Sequence, residues 1–205
     1  MCNSDISNRL ESKKMNGNNN LIFLIGFMAS GKTYLGSRIS DALDIPFVDM
    51  DEEIIVQNKK SINQIFEEEG EDGFRKSERK VLESFITSAK SRKTPLIIST
   101  GGGAPCFYDN MKLMKNNGLT IFINPSPEIL AARLAKDKEE RPLIRKKSAN
   151  EILEFVRTKL SDRIEFYRKA DILFNPIHND PDLDSRLMSN VVRSYLDAEI
   201  KPKTN

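Results

Sequence analysis

The sequence predicts an α/β fold, a three-layer sandwich in which helices cover both faces of a five-stranded parallel sheet. Five short apolar runs alternate along the chain with longer helical patterns, and this alternation is typical of a parallel sheet. The first run leads at once into a glycine-containing loop and then a helical stretch, as expected where a buried strand precedes its covering helix. The length of 205 residues suits one domain with a single sizeable core.

The five predicted strands are short and mostly apolar, which favours strands that are buried on both faces of the sheet. They are Leu21–Ile25, Pro46–Val48, Pro95–Ser99, Leu119–Ile123 and Asp171–Phe174. Helical patterns lie between and after them, at 32–43, 52–69, 73–91, 107–117, 126–136, 149–169 and 182–199.

The domain organisation follows from these elements. Residues 1–20 are polar and end in a run of asparagines, so they have little to bury and we expect a disordered tail. We expect a single domain over residues 21–200 and a short second tail over 201–205. No internal repeat or linker divides the sequence.

Composition excludes several classes of protein. Lys and Arg number 32 against 30 Asp and Glu, a net charge of only +2, so neither a general nucleic-acid binder nor a membrane binder is indicated. No apolar run approaches the roughly 20 residues that cross a bilayer. The two cysteines cannot form a disulfide framework, which favours a reducing compartment, and we expect a cytoplasmic protein.

A phosphate-binding loop follows the first strand. The segment Gly26–Thr33 (GFMASGKT) matches the pattern G-x-x-x-x-G-K-[ST]. Its backbone N–H groups can converge on phosphate oxygens, the lysine places a point charge on the β- and γ-phosphates, and the threonine hydroxyl can bind Mg²⁺. A chance match in an ordinary turn is the alternative, but the strand before and the helix after support a nucleoside triphosphate site. We expect Lys32 to be an exposed loop cation that contributes little to packing.

The class of triphosphate-binding protein is narrowed by what the sequence lacks. No Asn-Lys-x-Asp segment of the kind that reads guanine follows a later strand, and a mechanical ATPase would usually be larger. A small kinase that uses ATP and Mg²⁺ therefore fits best.

Two carboxylates, Asp49 and Asp51, follow the second strand, where ligands of parallel sheets bind. If strand geometry persists through Asp51, alternation points both side chains to the same side. One could hold Mg²⁺ and the other could accept a hydrogen bond from the attacking hydroxyl. The alternative is that Asp51 simply caps the helix that follows.

The motifs taken together resemble the shikimate kinase family over about residues 20–175. The resemblance rests on the segments 21–43 and 47–51, Ser61–Phe66, Gly73–Glu78, Ser99–Gly103, Arg141-Pro142-Leu143, and Arg163 placed four residues before Tyr167. It implies a phosphate-loop kinase fold with strand order 2-3-1-4-5 and a mobile lid at about 136–148. It also implies ATP and shikimate as substrates, Mg²⁺ as the cofactor, and we expect a monomer.

The resemblance implies roles for individual residues. Asp51 would hold the shikimate hydroxyls, either as a base or as an orienting group, and Asp49 would position Mg²⁺ with Thr33. Arg75 and Arg163 would bind the carboxylate, a task that suits guanidinium groups, with Glu78 orienting Arg75. The glycine loop Gly101, Gly102 and Gly103 would approach the substrate ring.

The nucleotide site is expected to combine the phosphate loop with basic residues. Arg141, in the lid, would reach the phosphates, and Arg133 would stack on adenine. The expected nucleotide contacts are Ala29, Ser30, Gly31, Lys32, Thr33, Tyr34, Arg133 and Arg141, and the expected catalytic residues are Lys32, Asp51 and Arg141. Two departures concern this site: Tyr34 replaces a small hydroxyl residue, and 176–181 contains no arginine.

Two other functions stay open. A related kinase of a sugar acid, such as a gluconate kinase, would act on a substrate with the same chemical groups. A catalytically inactive ATP-binding regulator is a different class, against which the intact set of Lys32, Thr33, Asp49 and Asp51 argues. The basic lid segment could likewise be no more than a solvated charged loop.

Overall fold

The computed structural model describes residues 20–136, 144–177 and 180–200, with the side chains of 198–200 excepted. Arg141, most of the predicted lid segment and both predicted tails up to residue 19 and from residue 201 lie outside these ranges. Asn20, the last residue of the predicted N-terminal tail, already joins the sheet, because its carbonyl accepts a 2.8 Å hydrogen bond from Leu96 N. None of the helices within the described ranges is long and apolar enough to cross a membrane.

Strands and helices alternate along the chain in the predicted order. The strands are β1 (Leu21–Ile25), β2 (Phe47–Asp49), β3 (Leu96–Ser99), β4 (Leu119–Ile123) and β5 (Ile172–Phe174). The helices are α1 (Lys32–Leu43), α2 (Met50–Asn58), α3 (Ile62–Ala89), α4 (Asn110–Asn117), α5 (Pro127–Lys136), α6 (Ala149–Tyr167) and α7 (Pro181–Ile200), with a short 3₁₀ helix at Ala104–Cys106.

All five strands are parallel and lie in the order β2-β3-β1-β4-β5. The α/β fold and the strand order 2-3-1-4-5 are thereby confirmed. The register aligns Leu24 of β1 with Ser99 of β3 and Asp49 of β2 with the same Ser99. The carboxyl ends of the three strands β1, β2 and β3 therefore meet at one edge of the sheet.

The central strand β1 shows why its sequence is apolar at every position. All five of its side chains are fully buried, and alternate residues point to opposite faces. Leu21, Phe23 and Ile25 pack in the core beneath α2 to α6, whereas Ile22 and Leu24 pack beneath α1 and α7. Burying each such side chain contributes about 1.5–3 kcal/mol, so both helical layers are held on this strand.

The helices after β2 differ from the prediction of one helix over 52–69. Helix α2 ends at Asn58, and Lys59 adopts a left-handed conformation with φ 53°. Helix α3 then begins behind Ser61, whose hydroxyl accepts a hydrogen bond from Gln64 N while the Gln64 side chain accepts one from Ser61 N. This capping box stops one helix from continuing into the next. The predicted gap between the helices at 52–69 and 73–91 is only a kink: Gly70, with φ 68° and ψ −172°, bends α3 without ending it.

The predicted helix over 107–117 begins later, at Asn110. The residues before it form the 3₁₀ helix and a turn in which Tyr108 has a positive φ of 50°. Pro105 lies within the 3₁₀ helix, where its missing N–H costs no hydrogen bond. This irregular stretch carries the chain from the glycine loop back to the face of the sheet.

Candidate active site

The phosphate loop connects β1 to α1 and is closed around its own lysine. Lys32 Nζ donates to the carbonyl oxygens of Gly26 and Phe27 at 3.0 and 2.9 Å. The side chain is only 8% exposed, so the expectation of an exposed loop cation is wrong. Its position at the first turn of α1 places its stem against the loop, and the loop carbonyls hold the charge. The lysine is therefore part of the packing of this loop.

The nucleotide side of the loop opens into a cleft of about 550 Å³. Arg133 of α5 donates to Ala29 O at 3.1 Å, which places its guanidinium beside the phosphate loop, whereas its stacking on adenine stays a prediction. Tyr34 is half exposed, and Arg38 lies 5.4 Å from the centre of its ring. The cleft is lined by Ala29–Leu35, Arg133, Lys136, Pro176, Pro181 and Asp184.

Thr33 and Asp49 meet at the far end of the loop. Thr33 Oγ1 donates to Asp49 Oδ2 at 2.6 Å and lies 3.3 Å from Ser99 Oγ. Hydroxyl and carboxylate oxygens are the donors that Mg²⁺ prefers, and this ion usually takes few protein ligands besides phosphate oxygens. Among the described residues no group of three or more acidic, His or Cys side chains could hold a metal by itself. The pair therefore fits Mg²⁺ delivered with a triphosphate.

Asp49 and Asp51 reach the site by a different geometry from the one predicted. Strand geometry does not persist to Asp51, because α2 begins at Met50. Asp49 is the N-cap, with its Oδ1 accepting from Asp51 N at 2.9 Å. The helix-capping alternative therefore applies to Asp49 rather than Asp51. Asp51 stands in the first helical turn and faces the glycine loop.

The carboxylate of Asp51 lies in an environment that disfavours its charged form. Burial raises its pKa, as does the charge of Asp49, while Lys32 and Arg75 lower it. Its Oδ1 is buried and has no hydrogen-bond partner within the described part of the chain. Such a group is expected to bind a ligand hydroxyl or a water.

Arg75 of α3 is held in place from three sides. Its guanidinium donates to Glu78 Oε2 at 2.9 Å and to Glu71 Oε1 at 3.1 Å. It also stacks on Phe107, 4.0 Å from the ring centre. The side chain is only about one-tenth exposed, so this is a fixed cation rather than a surface arginine.

Glu78 is fully buried beneath Arg75. Burial, together with the charge of Asp51, raises its pKa to about 7 against the opposing charges of Arg75 and Arg163. The interpretation that Glu78 orients Arg75 agrees with the 2.9 Å contact.

Arg163 and Tyr167 bring α6 to the same pocket. The Arg163 guanidinium lies 5.6 Å from the ring centre of Phe27 in the phosphate loop. One turn later, the hydroxyl of Tyr167 donates to Gly102 O at 2.5 Å. Burial raises the pKa of this phenol, so it remains a neutral donor that holds the glycine loop.

The glycine loop Gly101–Gly103 lies against three parts of the site, namely the two carboxylates, the phosphate loop and Arg75. A Cβ on Gly101 would lie 2.6 Å from Glu78 Oε1 and 3.0 Å from Asp51 Oδ1. A Cβ on Gly102 would lie 3.1 Å from Met28 N in the phosphate loop, and one on Gly103 would lie 2.7 Å from the Arg75 guanidinium nitrogens. The loop has no room for side chains because the two halves of the site meet there.

The structure thus gathers the predicted residues into two adjoining regions. Arg133 and Tyr34 line the cleft with the phosphate loop, and we name this region the nucleotide side after its predicted role. Asp51, Arg75 and the glycine loop, with Arg163 beside Phe27, form the second region, which we name the acceptor side after its predicted role. Arg141 lies outside the described residues. Sequence reasoning missed Phe107 under Arg75 and the walls Pro176, Pro181 and Asp184. The two prolines are the first and last residues of 176–181, the segment without an arginine.

Comparisons with known proteins point in one direction. The family model described as shikimate kinase matches residues 28–197. A shikimate kinase of Bacteroides thetaiotaomicron is 41% identical over 154 residues, covering 75% of this chain and 85% of that protein. A shikimate kinase of Aquifex aeolicus is 42% identical over 151 residues, covering 74% of this chain and 83% of that protein.

Solved structures agree. The crystal structure of the B. thetaiotaomicron shikimate kinase superposes with a TM-score of 0.77 at 36% identity, covering 86% of this chain and 98% of that one. A shikimate kinase of Acinetobacter baumannii in complex with shikimate gives a TM-score of 0.72 at 28% identity, covering 92% of this chain and 99% of that one.

Proposed function

The chain belongs to the shikimate kinase family, and from that premise we infer that it transfers the γ-phosphoryl group of ATP to the 3-hydroxyl of shikimate. The products are shikimate 3-phosphate and ADP, a step of chorismate and aromatic amino-acid biosynthesis. The observation that carries this inference is the contact between the two halves of the site, where Gly102 lies against the backbone of the phosphate loop. A hydroxyl held on the acceptor side is then adjacent to a triphosphate held on the other.

The acceptor pocket suits a small hydroxylated carboxylate. Arg75 and Arg163 supply two guanidinium groups for the carboxylate, a pairing that permits short charge-assisted hydrogen bonds. Asp51 supplies an acceptor for hydroxyls at the edge nearest Lys32, whose charge acts on it directly. The raised pKa of Asp51 favours its taking a proton from, or sharing one with, the attacking oxygen.

On the nucleotide side, Lys32 is proposed to turn from the loop carbonyls to the β- and γ-phosphates. Thr33 and Asp49 would hold Mg²⁺, which when bound offsets the charge of the phosphates. Arg133, fixed on Ala29 O, is proposed to lie against the base together with Pro176. Arg141 lies outside the described residues and is proposed from the sequence to reach the transferring phosphoryl group.

The two alternatives are weaker. A kinase of another sugar acid would also need a carboxylate site, but the shikimate kinases of B. thetaiotaomicron and A. aeolicus match about three quarters of this chain. A catalytically inactive regulator would not need a buried, charge-perturbed Asp51 next to Lys32. We also propose, from composition and the family resemblance, that the chain acts as a cytoplasmic monomer with one kinase domain.

An acceptor comparison tests the proposed function. ATP consumption by the full chain with Mg²⁺ is measured with shikimate, quinate, gluconate and nucleoside monophosphates, each over a range of concentrations. We expect kcat/KM to be at least about a hundredfold higher for shikimate than for any other acceptor, since buried polar groups discriminate strongly. Equal or faster turnover with gluconate would establish the sugar-acid alternative, and no turnover with any acceptor would favour the regulator.

Asp51→Asn separates the acceptor site from the nucleotide site. The change keeps the size of the side chain but removes its charge, so transfer to shikimate should fall by orders of magnitude while ATP binding stays near normal. Loss of ATP binding with retained turnover would instead place Asp51 in the nucleotide site.

A further inference from the structure

Two carboxylate oxygens are buried without a hydrogen-bond partner among the described residues, Glu78 Oε1 and Asp51 Oδ1. Both face Gly101, because its absent Cβ would lie 2.6 Å from the first and 3.0 Å from the second. The two oxygens therefore lie around the same point beside Gly101, where a proton or a single water could link them. Two buried acceptors facing each other are costly unless a proton or a water lies between them.

The charges around Glu78 come from every element that packs against it. Arg75 and, through it, Glu71 belong to the same helix α3. Asp51 approaches from α2, Arg163 from α6, and the thiol of Cys106 from the 3₁₀ helix. The thiol is neutral, since burial raises its pKa to about 11. With Glu78 ionised, the guanidinium groups of Arg75 and Arg163 stand among three carboxylates, namely Glu78, Asp51 and the largely exposed Glu71.

Arg75 links Glu78 to the substrate. In the free protein its guanidinium is shared between Glu78 and Glu71. In the proposed complex the same guanidinium also binds the substrate carboxylate. A second anion on Arg75 weakens its stabilisation of ionised Glu78 and adds repulsion. Both effects favour the protonated acid.

We propose that shikimate binding is coupled to uptake of one proton by Glu78, whose Oε1 then donates a hydrogen bond toward Asp51 Oδ1. The coupling rests on the proposed function, because it needs a carboxylate substrate on Arg75. The proton comes from solvent, and no bond other than this O–H forms or breaks. Glu78 is thus a positioning residue that satisfies both orphaned oxygens and aims the other oxygen of Asp51 at the hydroxyl.

The expected pH dependence follows from the direction of the shift. The pKa of Glu78 in the free protein is about 7, and binding raises it further. A group that gains a proton on binding makes affinity fall as pH rises, here above pH 7 and by at most roughly tenfold per pH unit. At pH 5.5 the proton is already present, so no uptake remains.

The experiment is calorimetric titration of the full chain with shikimate, in HEPES and in Tris at pH 8 and in MES and in bis-tris at pH 5.5, so that each pair of buffers differs in heat of ionisation. At pH 8 the apparent binding enthalpy should differ between buffers by a fraction of one proton, and at pH 5.5 it should not. Equal enthalpies in both buffers at pH 8 would overturn the proposal while leaving shikimate binding intact. An absence of any binding would overturn the proposed function itself.

The variant Glu78→Gln tests whether Glu78 is the group that takes up the proton. The amide can accept from Arg75 and donate toward Asp51, so it imitates the protonated acid. This variant should lose the buffer difference and bind shikimate at pH 8.5 more tightly than the wild type. A merely structural ion pair would predict weaker binding at every pH. Glu71→Gln is the matched control, since it also contacts Arg75 but is largely exposed, and it should keep the buffer difference.

Should Glu78→Gln fail to fold, the wild-type measurement in two buffers decides the question alone. A second measurement needs no variant: the infrared carbonyl band of a protonated carboxyl should grow when shikimate is added at pH 8. A band that does not change would contradict the proposal.

Discussion

At the scale of single residues, the contacts of Lys32 affect both the stability of the phosphate loop and its proposed chemistry. Its ammonium group is held by two loop carbonyls rather than by solvent. A cation in this position keeps the loop closed, and the proposed function adds a second purpose, the binding of the β- and γ-phosphates. Removal of the side chain should therefore affect both stability and catalysis.

Lys32→Ala should abolish detectable phosphoryl transfer while the protein still folds. Loss of the charged hydrogen bonds should lower the free energy of unfolding by about 1–3 kcal/mol. Turnover assays and denaturant unfolding measure the two effects. Lys80→Ala, at an exposed position of α3, is the control and should change neither. Near-normal turnover in Lys32→Ala would contradict the phosphate-loop assignment.

Glu78 makes the stability of the free protein depend on pH. Its pKa is raised from an ordinary 4.5 to about 7 by burial, so the folded state holds a proton that the unfolded state has released. Stability from this group is full below pH 4.5 and is lost as pH rises through 7. Tm measured from pH 4.5 to 8 should fall more in the wild type than in Glu78→Gln. Parallel curves for the two proteins would show that Glu78 does not titrate in this range.

At the scale of elements, the glycine loop after β3 is the segment that contacts the separate parts of the site. Three successive residues touch three different parts, namely the carboxylates, the phosphate loop and Arg75. Tyr167 fixes the loop from α6 through Gly102 O. The loop therefore sets the distance between the nucleotide side and the acceptor side.

Gly103→Ala should disturb the acceptor side alone. The added methyl group would meet the Arg75 guanidinium at 2.7 Å, and a side-chain end can move away at modest cost. We expect KM for shikimate to rise about tenfold or more, equivalent to roughly 1.4 kcal/mol of lost binding, with KM for ATP nearly unchanged. Steady-state kinetics with each substrate varied in turn gives both values. A larger effect on ATP than on shikimate would place Gly103 at the phosphate loop instead.

At the scale of the whole molecule, a parallel sheet assembles the site from distant segments. The carboxyl ends of β1, β2 and β3 meet at one edge, which brings together the phosphate loop, the aspartate pair and the glycine loop. Arg75 and Arg163 arrive on helices from the same side of the sheet. A triphosphate on the nucleotide side and a hydroxyl on the acceptor side can then meet beyond the carboxyl ends of β1 and β3.

Arg141→Ala tests how the basic segment completes this assembly. Phosphoryl transfer requires positive charge on the moving group, so kcat should fall on the order of a hundredfold. KM for shikimate should change much less, because we propose Arg75 and Arg163, not Arg141, as the residues that bind the carboxylate. Lys146→Ala, at an exposed turn position, is the control. An unchanged kcat would return the segment to the interpretation of a solvated charged loop.

The sequence by itself determined the features that depend on local pattern. Apolar runs of five residues predicted β1 and β4 at their observed bounds, because buried parallel strands need apolar residues on both faces. The phosphate loop was recognisable because its chemistry requires particular residues at fixed spacing. Even the break at Ser61 was encoded locally, in a capping box with Gln64 that the prediction of one helix over 52–69 overlooked.

Only the tertiary structure decided the features that depend on what lies nearby in space. Lys32 is buried, Asp49 rather than Asp51 caps α2, and Phe107 lies under Arg75. None of these follows from spacing along the chain, since each depends on contacts between separate elements. The raised pKa of Glu78 has the same origin, because burial and the charge of Asp51 raise it against Arg75 and Arg163, and all four depend on packing in space. Sequence pattern specifies which chemical groups are available, and packing specifies their solvation and neighbours, on which their chemistry depends.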